Sequence, residues 1–353
     1  MSGGGYRAML FHAGALVRLN EVGLLRRLDR VSSVSGGSIA AGVLASRWDA
    51  LDFGMGDVAA NFDEQVVAPL REFAARTIDW KATLAGMFMP GSAGNRIAAA
   101  YSRHLFGART LRDLPESPSF VINATSLQSG VLWRFTRDYM ADYRVGTIRE
   151  PDLPLATAVA ASSAFPPFLS PLRLKLRESD FEPNSGEDLQ HPPYTTKAVL
   201  TDGGVYDNLG LETAFKNYTS VLISDGGGYM APQKRPWTNW PLQLLRVTNV
   251  IDNQVRSLRK REAIEDYEGP VWSGAYWGIR TDIRNYELAD ALRCDHTRTL
   301  ELANQPTRLA SVKPRLQEQI MNWGYAVSDA AVRKHFDQRL PAPEGFPYPA
   351  SGI

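Results

Sequence analysis

Cysteine is nearly absent from this chain of 353 residues: Cys294 stands alone, so no internal disulfide can form and no Cys/His cluster has the spacing of a zinc site. The five histidines (His12, His104, His191, His296 and His335) are scattered, with no HExxH pair. Ligand supply therefore argues against a metal enzyme, with Asp-based sites left open. No apolar run approaches the roughly 20 residues that a bilayer crossing needs, and no signal peptide is visible. Charge of one sign is lacking too. Lys+Arg number 39 against 38 Asp+Glu, for a net charge of +1, which gives no support to a nucleic-acid partner. Neither GxxxxGK[ST] nor a strand followed by GxGxxG occurs, so the usual nucleotide loops are unsupported.

What is present is an ordinary globular composition, 44% hydrophobic and 22% charged, in a chain long enough for a sizeable core. The order of elements reads as α/β. Gly3-Gly4-Gly5-Tyr6-Arg7 leads into a helical pattern through Met9, Leu10, Ala13, Leu16 and Leu19, with Gly23 as its stop. Arg30 to Val34 reads as a short strand, and Ile39 to Ala45 as a small-residue helix. Residues 50–107 look helical, broken at Pro90-Gly91. Strands return at 119–123, 131–136, 197–201 and 220–224, with a helix over 151–162 and another from about Leu209. Residues 177–195 read as a surface loop near the site entrance. Beyond 230 the pattern is mostly helical to about Gln338, apart from a strand-like 270–279. The apolar, Met-rich stretch from Trp80 to Pro90 reads first as core, with a lid or interfacial contact as the other reading.

Three motifs carry chemistry. Val31-Ser32-Ser33-Val34-Ser35-Gly36-Gly37-Ser38 is a strand that runs at once into a small-residue turn and a helix, the arrangement of a nucleophile elbow. Such a turn lifts one hydroxyl, best fitted by Ser35, and sets the next N–H, that of Gly36, beside a bound carbonyl. The other reading is a Ser/Gly-rich helix cap. The opening glycines can gather backbone N–H groups around an anion or oxyanion. Thr201-Asp202-Gly203-Gly204 places a carboxylate at the end of a buried-type strand, where ligands of open α/β sheets bind. Asp225-Gly226-Gly227 has the same local grammar and is its rival. A triad that uses a distant histidine stays open.

Together these residues resemble the patatin-like phospholipase family. Gly3-Gly4-Gly5-Tyr6-Arg7 is similar to its glycine-rich oxyanion loop, Ser33-Val34-Ser35-Gly36-Gly37-Ser38 to its nucleophile elbow, and Asp202-Gly203-Gly204 to its second catalytic motif. Asn123 to Gly130 and Ala161 to Pro167 fit segments between them. The resemblance covers about residues 2–230.

It implies a single domain: a three-layer sandwich around a mainly parallel sheet, with 231–353 as a helical extension packed on it. It implies a Ser35–Asp202 dyad, oxyanion donors among Gly3, Gly4, Gly5 and Gly36, and Arg7 as support for the glycine loop. Ester hydrolysis of phospholipids or related lipids would follow, with no metal or cofactor. A transient contact with a membrane surface and a cytoplasmic or peripheral location would fit that activity. Two departures stand out. Ser33 replaces the glycine of the elbow, and the hydrophobic strand that precedes the glycine loop in the family has no counterpart, as in a shortened or truncated form. Other readings are a catalytically impaired relative that binds lipid or protein, and a phosphate- or nucleotide-binding α/β protein.

Overall fold

The computed structural model describes residues 1–78, 92–166, 169–214, 218–228, 230, 232–236, 238–269 and 271–353. The Trp80–Pro90 stretch and Pro167, the last residue of the second supporting segment, lie outside these residues.

Nine α-helices are described: α1 (Gly5–Glu21), α2 (Gly36–Arg47), α3 (Ala68–Ala74), α4 (Ser92–Tyr101), α5 (Leu155–Ser162), α6 (Gly204–Asp207), α7 (Trp240–Glu268), α8 (His296–Ala303) and α9 (Pro314–His335). The nine strands among the described residues are β1 (Arg30–Val34), β2 (Ser119–Ser126), β3 (Leu132–Phe135), β4 (Tyr139–Asp142), β5 (Gly146–Arg149), β6 (Leu172–Lys175), β7 (Lys197–Asp202), β8 (Ser220–Asp225) and β9 (Ser273–Gly278). The helix looked for from about Leu209 is replaced by the short α6. The Asp207 carboxylate then accepts from the N–H groups of Leu209 and Glu212 and closes a turn there. The 177–195 loop is tied to the β4–β5 hairpin, through Glu182 N–H to Thr147 C=O and an Arg144–Asp188 ion pair.

The expectation of a mainly parallel sheet is corrected. Seven strands form one sheet in the order β5-β4-β3-β2-β7-β6, with β1 also on β2, and only the β1–β2 pairing is parallel. The reason is connection length. β2 to β5 follow one another through turns of three to five residues, and such short connections join only antiparallel neighbours; a parallel pair needs a crossover of a dozen residues or more. β8 and β9 form a separate parallel pair, with α7 in the crossover between them.

One feature of this topology positions the site. β3 occupies one edge of β2, while β1 and β7 share the other. β1 runs along the first half, ending with Val34 opposite Asn123. β7 arrives from the opposite direction and ends with Asp202 opposite Ala124. The two strands stop head to head at adjacent β2 positions, so the residues at their C-terminal ends must meet.

Met1 and Ser2 sit between β1 and β8: the Met1 amino group donates to Ser32 C=O (2.8 Å), Met1 C=O accepts from Val34 N–H (3.1 Å), and Ser2 N–H donates to Ser224 C=O (3.1 Å). Beyond Met1 the two strands flank a cleft of about 320 Å³ lined mainly by apolar side chains, among them Leu16, Leu24, Val31 and Leu209.

The core is continuous from α1 and α2 to α9. Where α9 crosses α1, a Cβ at Gly14 would lie 2.0 Å from Met321 C=O, and one at Gly324 would lie 2.0 Å from Phe11 C=O. Only glycine lets the two backbones approach so closely, and this contact fixes the helix that carries the first glycine loop.

Candidate active site

Ser35 has φ 53° and ψ −119°, a left-handed conformation that costs a non-glycine residue about 1–3 kcal/mol. The turn is held from outside. Ser35 N–H donates to Ser162 Oγ (3.0 Å), and Ser162 C=O accepts from Gly203 N–H (3.1 Å), so one α5 residue links the elbow to the Asp-Gly-Gly turn. The hydroxyl at Ser33, where the family has glycine, is accommodated: it accepts from Ser38 Oγ (3.0 Å) and lies 3.3 Å from Val121 C=O. Ser35 is buried but not fully, at 6% exposed.

The glycine loop closes over this elbow. Gly4 and Gly5 have φ 146° and 59°, which turn the chain sharply into α1. At Gly36 a Cβ would meet Gly5 C=O at 2.2 Å, and at Gly3 it would meet the Asn208 side chain at 2.5 Å and Ser35 Cβ at 3.1 Å. The N-termini of α1 and α2 therefore converge beside Ser35, and both helix dipoles direct their positive ends there. Among the described residues the N–H groups of Gly4, Gly5 and Gly36 make no hydrogen bond, whereas Gly3 N–H is committed to Asn208 C=O (3.1 Å). Gly3 contributes closeness rather than a free donor.

Arg7 is buried and acts as a strut. Its guanidinium donates to Gly226 C=O (3.2 Å) and to Gln305 C=O, tying the first turn of α1 to two distant loops.

Asp202 is 3% exposed. Burial pushes its carboxyl up to about 7; the neighbouring Ser35 hydroxyl and Gly204 N–H counter this in part, and the charge of Asp252 adds to it. Oδ1 accepts from Gly204 N–H (2.8 Å), while Oδ2 is buried with no partner among the described residues. The Ser35 hydroxyl is thus near enough to influence Asp202, yet no hydrogen bond is formed between them. Catalytic pairs are often this loose before substrate arrives.

The other candidates have other occupations. Asp225 is equally buried, but its carboxylate accepts from Tyr276 OH (2.8 Å) and Gly227 N–H (2.8 Å). His12, inside α1, donates from Nε2 to Ser2 C=O (2.9 Å) and so accepts at Nδ1 from Ser224 Oγ (2.7 Å). Burial, with the nearby amino terminus, pushes its pKa down to about 3, so the ring is neutral. No cluster of three His, Cys, Asp or Glu side chains that could hold a metal occurs among the described residues, and no described helix is long and apolar enough to cross a membrane.

Sequence reasoning missed the supporting groups: Ser162, Asn208, and Thr125, whose hydroxyl donates to Asp202 C=O (2.9 Å). Ser162 and Thr125 do lie within stretches that resemble family segments, but nothing in their spacing marks them as partners of the elbow or of the Asp202 turn.

The family model described as patatin-like phospholipase matches residues 1–215. Comparison with curated proteins gives no match. Among solved structures, human GIVD cytosolic phospholipase A2 aligns at 13% identity and a TM-score of 0.41, over 64% of this chain and 45% of that one. VipD from Legionella pneumophila aligns at 14% identity and a TM-score of 0.38, over 93% of this chain and 65% of its own. This chain therefore spans less than two thirds of the length of either. By the match over residues 1–215, with the three motifs in order inside it, the chain belongs to the patatin-like phospholipase family.

Proposed function

We propose that the protein is a serine lipid acyl hydrolase in which Ser35 is the nucleophile and Asp202 the base. The observation that carries this reading is the buried Oδ2 of Asp202, without a partner among the described residues, beside a serine held at φ 53°. A carboxylate raised to about 7 is matched to taking a proton near neutral pH.

In this reaction Asp202 takes the hydroxyl proton as Ser35 Oγ bonds to the acyl carbonyl carbon. The oxyanion that forms lies between the N–H groups of Gly4, Gly5 and Gly36. One such donor is typically worth about 3–4 kcal/mol of barrier. Collapse breaks the ester C–O bond, and Asp202 returns its proton to the departing alkoxide. Water then repeats the sequence on the acyl-serine: Asp202 takes a water proton, the acid leaves, and the proton passes back to Ser35 Oγ. The chain's own groups supply every proton transfer. Acyl esters of lipids are the proposed substrates, on the strength of family membership.

Fluorophosphonate labelling with peptide mapping tests this. The expected result is label on Ser35 in the wild type and none in Ser35→Ala, in protein whose thermal melt is intact. Absence of label on folded wild type would sink the reading and favour a lipid- or protein-binding relative.

A further inference from the structure

Helix α7 has two faces with different fates. Its second half is anchored: Ala263 is fully buried, Arg256 donates to Gly228 C=O (2.7 Å), and Tyr267 OH donates to Val221 C=O (2.8 Å). From Trp240 to Val255, by contrast, the described side chains are exposed, save the half-buried Arg246 and Asn253.

On the outward side runs an apolar stripe of Trp240, Leu244, Val247, Ile251, Val255 and Leu258, spaced by three or four residues and hence on one face. Trp240 is 76% exposed and Ile251 59%. The stripe ends where Glu262 and Glu265 take its positions.

This helix borders the candidate site. α6, which follows Asp202 directly, packs against α7. Asp252 is near enough to Asp202 to raise its pKa. On α6 itself Val205 is 53% exposed, which extends the apolar surface toward the site.

Charge decides between occupants. Besides the buried Arg256, residues 230–261 carry six Lys/Arg (Lys234, Arg235, Arg246, Arg259, Lys260, Arg261) against one acid, Asp252. Pairing two copies along the stripe would press two such cationic segments together. Gln254 also breaks the apolar repeat where a helix partner would need it. An anionic bilayer meets both demands: its headgroups match the cations on the flanks, and its acyl boundary takes the apolar side chains, with Trp240 at the interfacial end.

We propose that α7 is an interfacial helix that lays its Trp240–Leu258 stripe into an anionic membrane surface and so holds the Ser35–Asp202 site against the lipid. This rests on the hydrolase reading for its purpose, but not for its test.

The test is co-flotation of the full chain with vesicles of phosphatidylcholine plus phosphatidylglycerol, compared with phosphatidylcholine alone. Wild type should float with the anionic vesicles. Leu244→Gln/Val247→Gln/Ile251→Gln should lower partitioning at least about tenfold, with hydrolysis of a soluble short-chain ester and the thermal melt unchanged. Arg246→Gln/Arg261→Gln should give a smaller drop that vanishes at high salt, and it serves as an independent probe if the triple variant misfolds. Equal flotation of the triple variant and wild type would overturn the proposal. So would a wild type that does not float but elutes as a dimer that the triple variant breaks. Flotation without soluble-ester hydrolysis would remove the catalytic reading and leave the docking helix standing.

Discussion

Two turns of this chain share the sequence Asp-Gly-Gly at the end of a buried strand, yet they have become chemically opposite. At 202–204 the carboxylate faces no cation among the described residues. Burial dominates, the carboxyl rises to about 7, and one oxygen is left without a partner. At 225–227 burial alone would also raise the pKa. There, however, Arg256, the Tyr276 hydroxyl, Gly227 N–H and Arg280 more than offset it, and Asp225 stays below the usual carboxylate range. In the proposed reaction the first carboxylate takes a proton; the other is a fixed charge that organises the loop Arg7 grips. The difference lies entirely in what later parts of the chain bring to each turn, α7 and β9 in the case of Asp225.

The strongest way to break this contrast is to neutralise each carboxylate in turn. Asp202→Asn should cut turnover of a soluble ester by about 10²–10⁴-fold, the usual value of a positioned base. Asp225→Asn should keep turnover within about tenfold, because Asp225 touches neither the elbow nor its donors. Its loss would appear in stability instead, on the order of 3 kcal/mol, since Arg256 and Arg7 would share a buried site with less compensating charge. Urea melts beside ester kinetics separate the two. Equal catalytic losses would mean that the comparison is wrongly drawn.

A second prediction sharpens it through pH. If Asp202 is the base, kcat/KM should rise with pH through about 7 and level off above it. Stability should move the other way. Asp202 holds its proton more tightly folded than unfolded, so its contribution is fully present below pH ~4 and is lost as pH climbs to about 7. Asp202→Asn should therefore match wild type near pH 4 and exceed it at pH 8, by on the order of 2–4 kcal/mol. A variant less stable than wild type at pH 8 would contradict the buried, unpaired carboxylate. For Asp225→Asn the sign is reversed: wild type gains its advantage above the unfolded carboxylate pKa and loses it on acidification.

These differences also mark how far the sequence could be read. β1, β7, β8 and the glycine turns were legible because each is local: a short β-branched or apolar run, then small residues at positions where backbones touch. The pairing of strands was not, because β4, β5 and β6 are four residues each, too short for a period of two to mark a strand even where it is strict, as in Leu172-Arg173-Leu174-Lys175. Missing them hid the meander, and with it the antiparallel direction of the sheet. The split edge of β2 is equally non-local. Nothing near Ser35 or Asp202 in sequence says that Val34 and Asp202 pair with the consecutive residues Asn123 and Ala124, although this register brings the two motifs together.

The smallest effect expected concerns Ser33, the residue that departs from the family's elbow. If a small side chain two positions before the nucleophile were needed for the turn itself, Ser33→Gly would improve the site. The contacts argue otherwise. Ser33 pairs with Ile122 in the β1–β2 register, and its hydroxyl accepts from Ser38, which also meets Ser162 (2.9 Å). The close approaches that demand glycine fall at Gly36 and Gly37, against the carbonyls of Gly5 and of Met1 and Ser2. Glycine at 33 would remove two buried hydrogen bonds, from Ser38 Oγ and to Val121 C=O, and add backbone freedom in a strand, a loss of about 2–3 kcal/mol together. The N–H of Ser35 would keep its bond to Ser162, so fluorophosphonate labelling should proceed within about twofold of the wild-type rate. Faster labelling in Ser33→Gly would mean that the Ser33 side chain strains the elbow, and that the Ser33–Ser38–Ser162 chain is a compensation for that strain rather than a support of the turn.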